Sequence, residues 1–121
     1  MSAVARRVPG QMRSLAGAVS ANGIVVTSGF VDPSSLTQDV PFADQASQAM
    51  RTLLDTLAQF GIGPADVIKV EAYLADSADF EAWNRIYAEV WPEPGPARTT
   101  LVVGFAVATI RFEVQAIAAQ A

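Results

Sequence analysis

The chain has 121 residues, 51% of them hydrophobic and 17% charged, with a formal net charge of −4. That length points to one domain over residues 1–121, and the composition to an ordered core rather than a disordered chain. Cys and His are both absent, which excludes a disulfide framework, a thiol nucleophile, a Cys/His zinc site and a Ser-His-Asp arrangement.

Chemistry must therefore run on carboxylates, arginine, hydroxyls, amides, backbone groups and water. At the N-terminus Arg6, Arg7 and Arg13 are the only local basic cluster. They read as solvated residues on a loose end, and an acidic chain repels phosphate backbones, so no nucleic-acid partner is expected. Pro9, Gly10, Gln11 and Arg13 interrupt any apolar run there, so no signal peptide is read.

Ser14–Ala21 is weakly β-like, and Asn22-Gly23 joins it to Ile24–Gly29. Asn-Gly between two apolar runs is a strong hairpin signal, because both residues tolerate the positive φ of a type I′ turn. Residues 31–43 are turn-rich and predict a surface loop. From Asp44 the period changes: Ala46, Ala49, Met50, Leu53, Leu54, Leu57 and Phe60 recur at three- and four-residue spacing. This predicts a helix with one apolar stripe, capped by Asp44 and stopped at Gly61.

Val67–Leu74 alternates, with Ile68, Val70, Ala72 and Leu74 opposite Lys69, Glu71 and Tyr73, the period of a half-buried strand. Asp76 or Ser77 then caps a second helix with the stripe Phe80, Trp83, Tyr87 and Val90 or Trp91, ended by Pro92, Pro94 and Pro96. The nearly all-apolar Thr99–Gly104 and the alternating Ile110–Ala118 predict two closing strands. The run from Thr99 to Ile110 falls short of the roughly 20 residues a bilayer crossing needs, so a cytoplasmic protein with no membrane partner is expected.

The predicted order is β-β-α-β-α-β-β, an α+β domain. Two helices that each need one face covered pack most simply on the same side of the sheet. The other side would carry Lys69, Glu71, Tyr73, Arg111, Glu113 and Gln115, a mixture that predicts self-association.

In that order the segments resemble the Rid (reactive intermediate deaminase, YjgF-like) family. DVIKVEAYLADSADFEAWNRIYAEVW is similar to the family's middle strand, Asp-x-x-Asp-Phe turn and Asn-x-x-Tyr helix. GPARTTLVV followed by FEVQAIAA is similar to its Pro-Ala-Arg-Ser/Thr signature and closing strand, and IVVTSG to its second strand. The resemblance implies a chorismate-mutase-like fold with a mixed, mostly antiparallel sheet, and a homotrimer with clefts between subunits. It implies hydrolytic deamination of a small enamine or imine carboxylic acid to a 2-oxo acid and ammonia, without metal or organic cofactor, as in 2-iminobutanoate/2-iminopropanoate deaminases.

Carried over residue by residue, the carboxylate-gripping arginine is Arg98, the second-strand serine Ser28 and the helix asparagine Asn84. The cleft backbone positions are Gly29 and Thr100. The family tyrosine near the first strand falls on Leu15, and the glutamate before Ala-Ile-Ala on Gln115. Arg98 offers a planar fork that matches a carboxylate bidentately, as lysine cannot. Gln115 cannot take a proton but can orient water. Glu113, two residues earlier on the same strand face, is read first as paired with Arg111 or Lys69 at the oligomer interface, and second as the acid in place of Gln115. Glu71 is read as interface pair or cleft lining, and Trp83, Tyr87 and Trp91 as core or interface. Leu15 would make the cleft more apolar. The alternative function is a non-catalytic protein that binds small carboxylates through Arg98. The ribonuclease activity sometimes attached to the family fits an acidic chain without His poorly.

Overall fold

The computed structural model describes residues 5–121. Its sheet has six strands: β1 (Arg6–Pro9), β2 (Ala16–Ala21), β3 (Ile24–Thr27), β4 (Val67–Leu74), β5 (Ala97–Val102) and β6 (Phe112–Ala119). They lie in the order β1-β2-β3-β6-β4-β5. Only β4 and β5 run parallel; the other neighbours are antiparallel. Helices α1 (Phe42–Ala58) and α2 (Phe80–Val90) pack on one side of this open sheet, the α+β arrangement that the sequence predicts.

The hairpin forms as read, with Asn22 at φ 53 and Gly23 at φ 79. The β4-α2-β5 segment is a parallel crossover, which needs a helix long enough to return the chain to the same end of the sheet. Alternation then sorts the side chains. On β6, Phe112, Val114, Ala116 and Ala118 are buried while Glu113, Gln115 and Ile117 are not. The helix-side core holds Leu53, Leu57, Val70, Leu74, Trp83 and Phe112 at 0% exposure. Trp83 meets the Phe112 ring at 4.9 Å, and Phe42 meets it edge-on at 5.7 Å.

Three readings are corrected. The segment holding Arg6 and Arg7 is not loose: Arg6–Pro9 forms β1 on β2, and Val8 is buried. Four residues closed by a proline are too few for a two-residue period to show, and backbone pairing supplies the order that the pattern lacked. Helix α1 begins at Phe42 after Pro41, and Asp44 makes no cap. The packing of Phe42 on Phe112 carries the helix two residues further back. The fifth strand runs Ala97–Val102 rather than Thr99–Gly104, because its pairing with β4 starts at Lys69 opposite Ala97.

Candidate functional site

Arg98 lies on β5 opposite Val70, which is fully buried under the helices. Its side chain therefore points to the helix face of the sheet. There it donates to Asn84 Oδ1 of α2 at 2.8 Å and lies 4.8 Å from the Tyr87 ring centre, with Trp83 and Phe80 at 5.8 Å. Asn84 and Tyr87 share one face of α2 because they are three residues apart. Tyr87 is fixed in turn by donating to Pro96 O at 3.2 Å; burial raises its pKa, and the nearby Arg98 opposes that shift. Thr100 follows on the same face and accepts from Trp83 Nε1 at 3.1 Å. Among the described residues Arg98 has no carboxylate partner; the ion pair found is Arg111–Asp39 at 2.8 Å. Stacking and one neutral amide hold the guanidinium in place while leaving its charge uncompensated.

Ser28, Gly29, Leu15 and Glu113 come together elsewhere, around a cavity of about 430 Å³ at the end of β3. The Ser28 hydroxyl donates to Ala16 O at 2.7 Å, and the Ser28 N–H to Gly17 O at 2.9 Å. The donor of this serine is thus spent on the fold, and its oxygen keeps acceptor capacity. A side chain at Gly29 would collide with the Glu113 carboxylate, so the missing Cβ lets that carboxylate lie against the backbone. Burial raises the pKa of Glu113. Its side chain alternates with the buried Phe112 and Val114 and so stands on the sheet face opposite the helices. Neither Arg111 nor Lys69 compensates it: Arg111 pairs with Asp39, and Lys69 donates to Thr99 Oγ1 at 2.9 Å. Within one chain Glu113 is thus paired with neither cation; the expected pairing is one across an interface between subunits.

Gln115 stands one pair along from Glu113 and faces Glu71 rather than Tyr73. Its Nε2 donates to Glu71 Oε2 at 2.7 Å and to the Tyr73 hydroxyl at 2.8 Å, while that hydroxyl donates to Glu71 at 3.0 Å. The bonds from Gln115 and then Tyr73 lower the pKa of Glu71; burial and the neighbouring carboxylate raise that of Tyr73. This closed triangle lies away from Ser28 and Leu15, beside a separate hollow of about 190 Å³. Gln115 has both amide protons engaged there.

Sequence reasoning thus finds both halves of the candidate site but misses three supports. Tyr87, read as core, is the platform of Arg98. Gln11 brackets Val31 through two bonds, Nε2 to O at 2.8 Å and N to Oε1 at 3.2 Å. Gln45 is fully buried, donates to Val40 O and Thr109 O and accepts from Arg111 N, which ties the loop before β6 to α1. A polar residue four before Ala49, on the apolar stripe of α1, was a legible signal for Gln45. Among the described residues no group of His, Cys, Asp or Glu is arranged to hold a metal ion, and no helix is long and apolar enough to cross a membrane.

Comparison with known proteins gives consistent matches. The family described as Endoribonuclease L-PSP matches residues 7–120. The chain is 30% identical over 115 residues to Reactive Intermediate Deaminase A, chloroplastic, of Arabidopsis thaliana, covering 93% of this chain and 62% of that one. It is 33% identical over 105 residues to 3-aminoacrylate deaminase RutC of Acinetobacter baylyi (84% and 82%). It is 31% identical over 129 aligned positions to the human 2-iminobutanoate/2-iminopropanoate deaminase (99% and 94%). The crystal structure of a YjgF-family member from Neisseria meningitidis superposes with a TM-score of 0.84 at 26% identity, covering 98% and 96% of the two chains. The chain spans 54% to 62% of the length of several curated relatives, a mitochondrial one of Schizosaccharomyces pombe and the chloroplastic one among them.

Proposed function

The chain belongs to the endoribonuclease L-PSP family, also called YjgF or Rid, and from that premise we propose that it hydrolytically deaminates a small enamine or imine carboxylic acid to a 2-oxo acid and ammonia. The observation that carries this reading is the uncompensated, stacked guanidinium of Arg98, available to an organic carboxylate. The relatives' names agree on imino or enamino acids as substrates and differ on which one, so the class is proposed and not the compound.

One protomer holds Arg98 and Glu113 on opposite faces of its sheet. A working site therefore takes Arg98 from one subunit and Ser28, Gly29, Leu15 and Glu113 from a neighbour, across a cleft of the homotrimer that the family resemblance implies. Asn84 and Thr100 act with Arg98, Asn84 by orienting it. The water-activating role goes to Glu113 rather than Gln115. A desolvated carboxylate next to a cleft has the basicity the step needs, and an amide held by Glu71 and Tyr73 does not.

The chemistry then balances. Arg98 holds the substrate carboxylate. Glu113 takes a proton from water as the oxygen bonds to the imine carbon, and the π electron pair of the breaking C=N double bond moves to the nitrogen. Glu113 passes that proton to the nitrogen to give the carbinolamine; it then takes the hydroxyl proton and delivers it to the nitrogen as the C–N bond breaks, so that the oxygen's electron pair closes the C=O bond, ammonia leaves and the 2-oxo acid forms. An enamine substrate first gains a proton at its β-carbon and loses one from its nitrogen to become the imine. The alternative, a binder without chemistry, rests on Gln115 standing in for the acid and loses its motive once Glu113 is available.

The test is ammonia release from imino acids generated freshly by an amino-acid oxidase. Acceleration over buffer is expected, with a drop of roughly a hundredfold or more for Arg98→Ala, since two charge-assisted hydrogen bonds are removed. A parent protein no faster than buffer ends the deaminase reading.

A further inference from the structure

Four segments meet at the cleft beside Glu113: the turn Gln11–Leu15, the end of β3 at Ser28–Val31, the tight turn Pro33–Leu36, and Ile110. The polar side chains lining the hollow are Ser28, Glu113 and Gln11, the last with its amide engaged by the Val31 backbone; the other lining side chains are apolar, Met12, Leu15, Leu36 and Ile110 among them. Met12 is 61% exposed, Leu15 49% and Leu36 48%, so three large apolar side chains face outward around one concavity.

The wall is built rather than loose. The two bonds between Gln11 and Val31 lock one turn to the next. Leu15 N–H donates to Met12 O at 3.1 Å, and the Asp32 carboxylate accepts from both the Ser34 N–H at 3.0 Å and its hydroxyl at 2.8 Å. These bonds hold the apolar side chains apart instead of letting them collapse together, and 430 Å³ is far more room than an alanine-derived imino acid fills. Cavities of about 300–1,000 Å³ suit ligands well beyond that size.

We infer that this hollow receives the side chain of the substrate, and that the preferred substrates are imino acids with a branched aliphatic or aromatic side chain, with Leu15 and Leu36 as specificity-determining residues. The inference rests on the proposed deaminase site, whose Ser28 and Glu113 hold the reacting carbon and so leave the side chain to the apolar lining. Hydrogen-bonding side chains would be stranded there, since the apolar wall offers them no partner.

Binding of unreactive 2-oxo acids to the intact protein, followed by calorimetry, separates side-chain preference from turnover. Phenylpyruvate and 4-methyl-2-oxopentanoate are expected to bind at least about tenfold tighter than pyruvate. In Leu15→Ser and Leu36→Ser that ratio is expected to fall several-fold; both side chains are exposed enough for the variants to fold, which circular dichroism checks. Equal affinity for pyruvate and the larger acids, or a ratio untouched by both variants, overturns the inference. If ammonia is still released from the alanine-derived imino acid in that case, the deaminase reading survives alone. If no 2-oxo acid binds and no imino acid turns over, both fall together.

Discussion

The two faces of the sheet have opposite characters. Under the helices, Trp83, Phe112, Leu53 and Val70 are sealed from water, and each contact there is replaceable only at a cost in packing. On the open face, Glu71, Tyr73 and Gln115 satisfy one another, while Ile24, Val26 and Leu101 stay exposed at 41%, 43% and 49%. The same strands make both faces, since alternate residues point to opposite sides. Arg98 and Glu113 cross this division: the arginine stands at the rim of the packed face, and the acid on the open one. Stability and chemistry are thus interleaved residue by residue along β5 and β6, and a substitution can strike one while sparing its neighbour.

The sharpest way to test that interleaving is at Glu113 and Gln115. Glu113→Gln is expected to lower deamination about 10²–10⁴-fold, the usual worth of a positioned acid–base group, while Gln115→Glu changes it less than about tenfold. The proposed base must be unprotonated, and burial raises its pKa above the ordinary 4.5. Activity should therefore fall toward acid at a higher pH than a solvated glutamate would impose, and the residual rate of Glu113→Gln should lack that limb. A rate that depends on Gln115 and ignores Glu113 would reverse the assignment.

The packed face should respond in stability. Trp83→Ala removes a fully buried ring that touches Phe112 and Tyr87 and donates to Thr100, at an expected cost of about 3–5 kcal/mol in urea unfolding. A loss below about 1 kcal/mol would mean that the ring is not the centre of this core.

Asn84 sits between the two regimes, and the smallest effect is expected there. Asn84→Ala leaves Arg98 stacked on Tyr87 but no longer bonded at 2.8 Å. About a tenfold rise in KM with little change in kcat is expected, because one charge-assisted hydrogen bond orients the guanidinium. Asn84→Asp should do more harm, since a carboxylate there would occupy Arg98 itself. Equal, small effects from both variants would show that stacking alone positions the arginine.

Much of this was readable in the chain before folding. The alternation of Val67–Leu74 and Ile110–Ala118, the stripe of α1, the Asn22-Gly23 turn and the ordered family segments lead to an α+β sheet with two helices on one side. The elements are legible because periodicity and turn chemistry are local properties that survive in one dimension; Arg98 is singled out by the resemblance of its segment to the family signature. Tertiary structure alone decided that Arg6–Pro9 is a strand, that Tyr87 is a platform and that Arg98 and Glu113 stand on opposite faces. It also separated Glu113 from Gln115. A two-residue period puts both on one face, but only the cross-strand register sets Gln115 against Glu71 and leaves Glu113 beside Gly29, where a missing side chain makes room for its carboxylate.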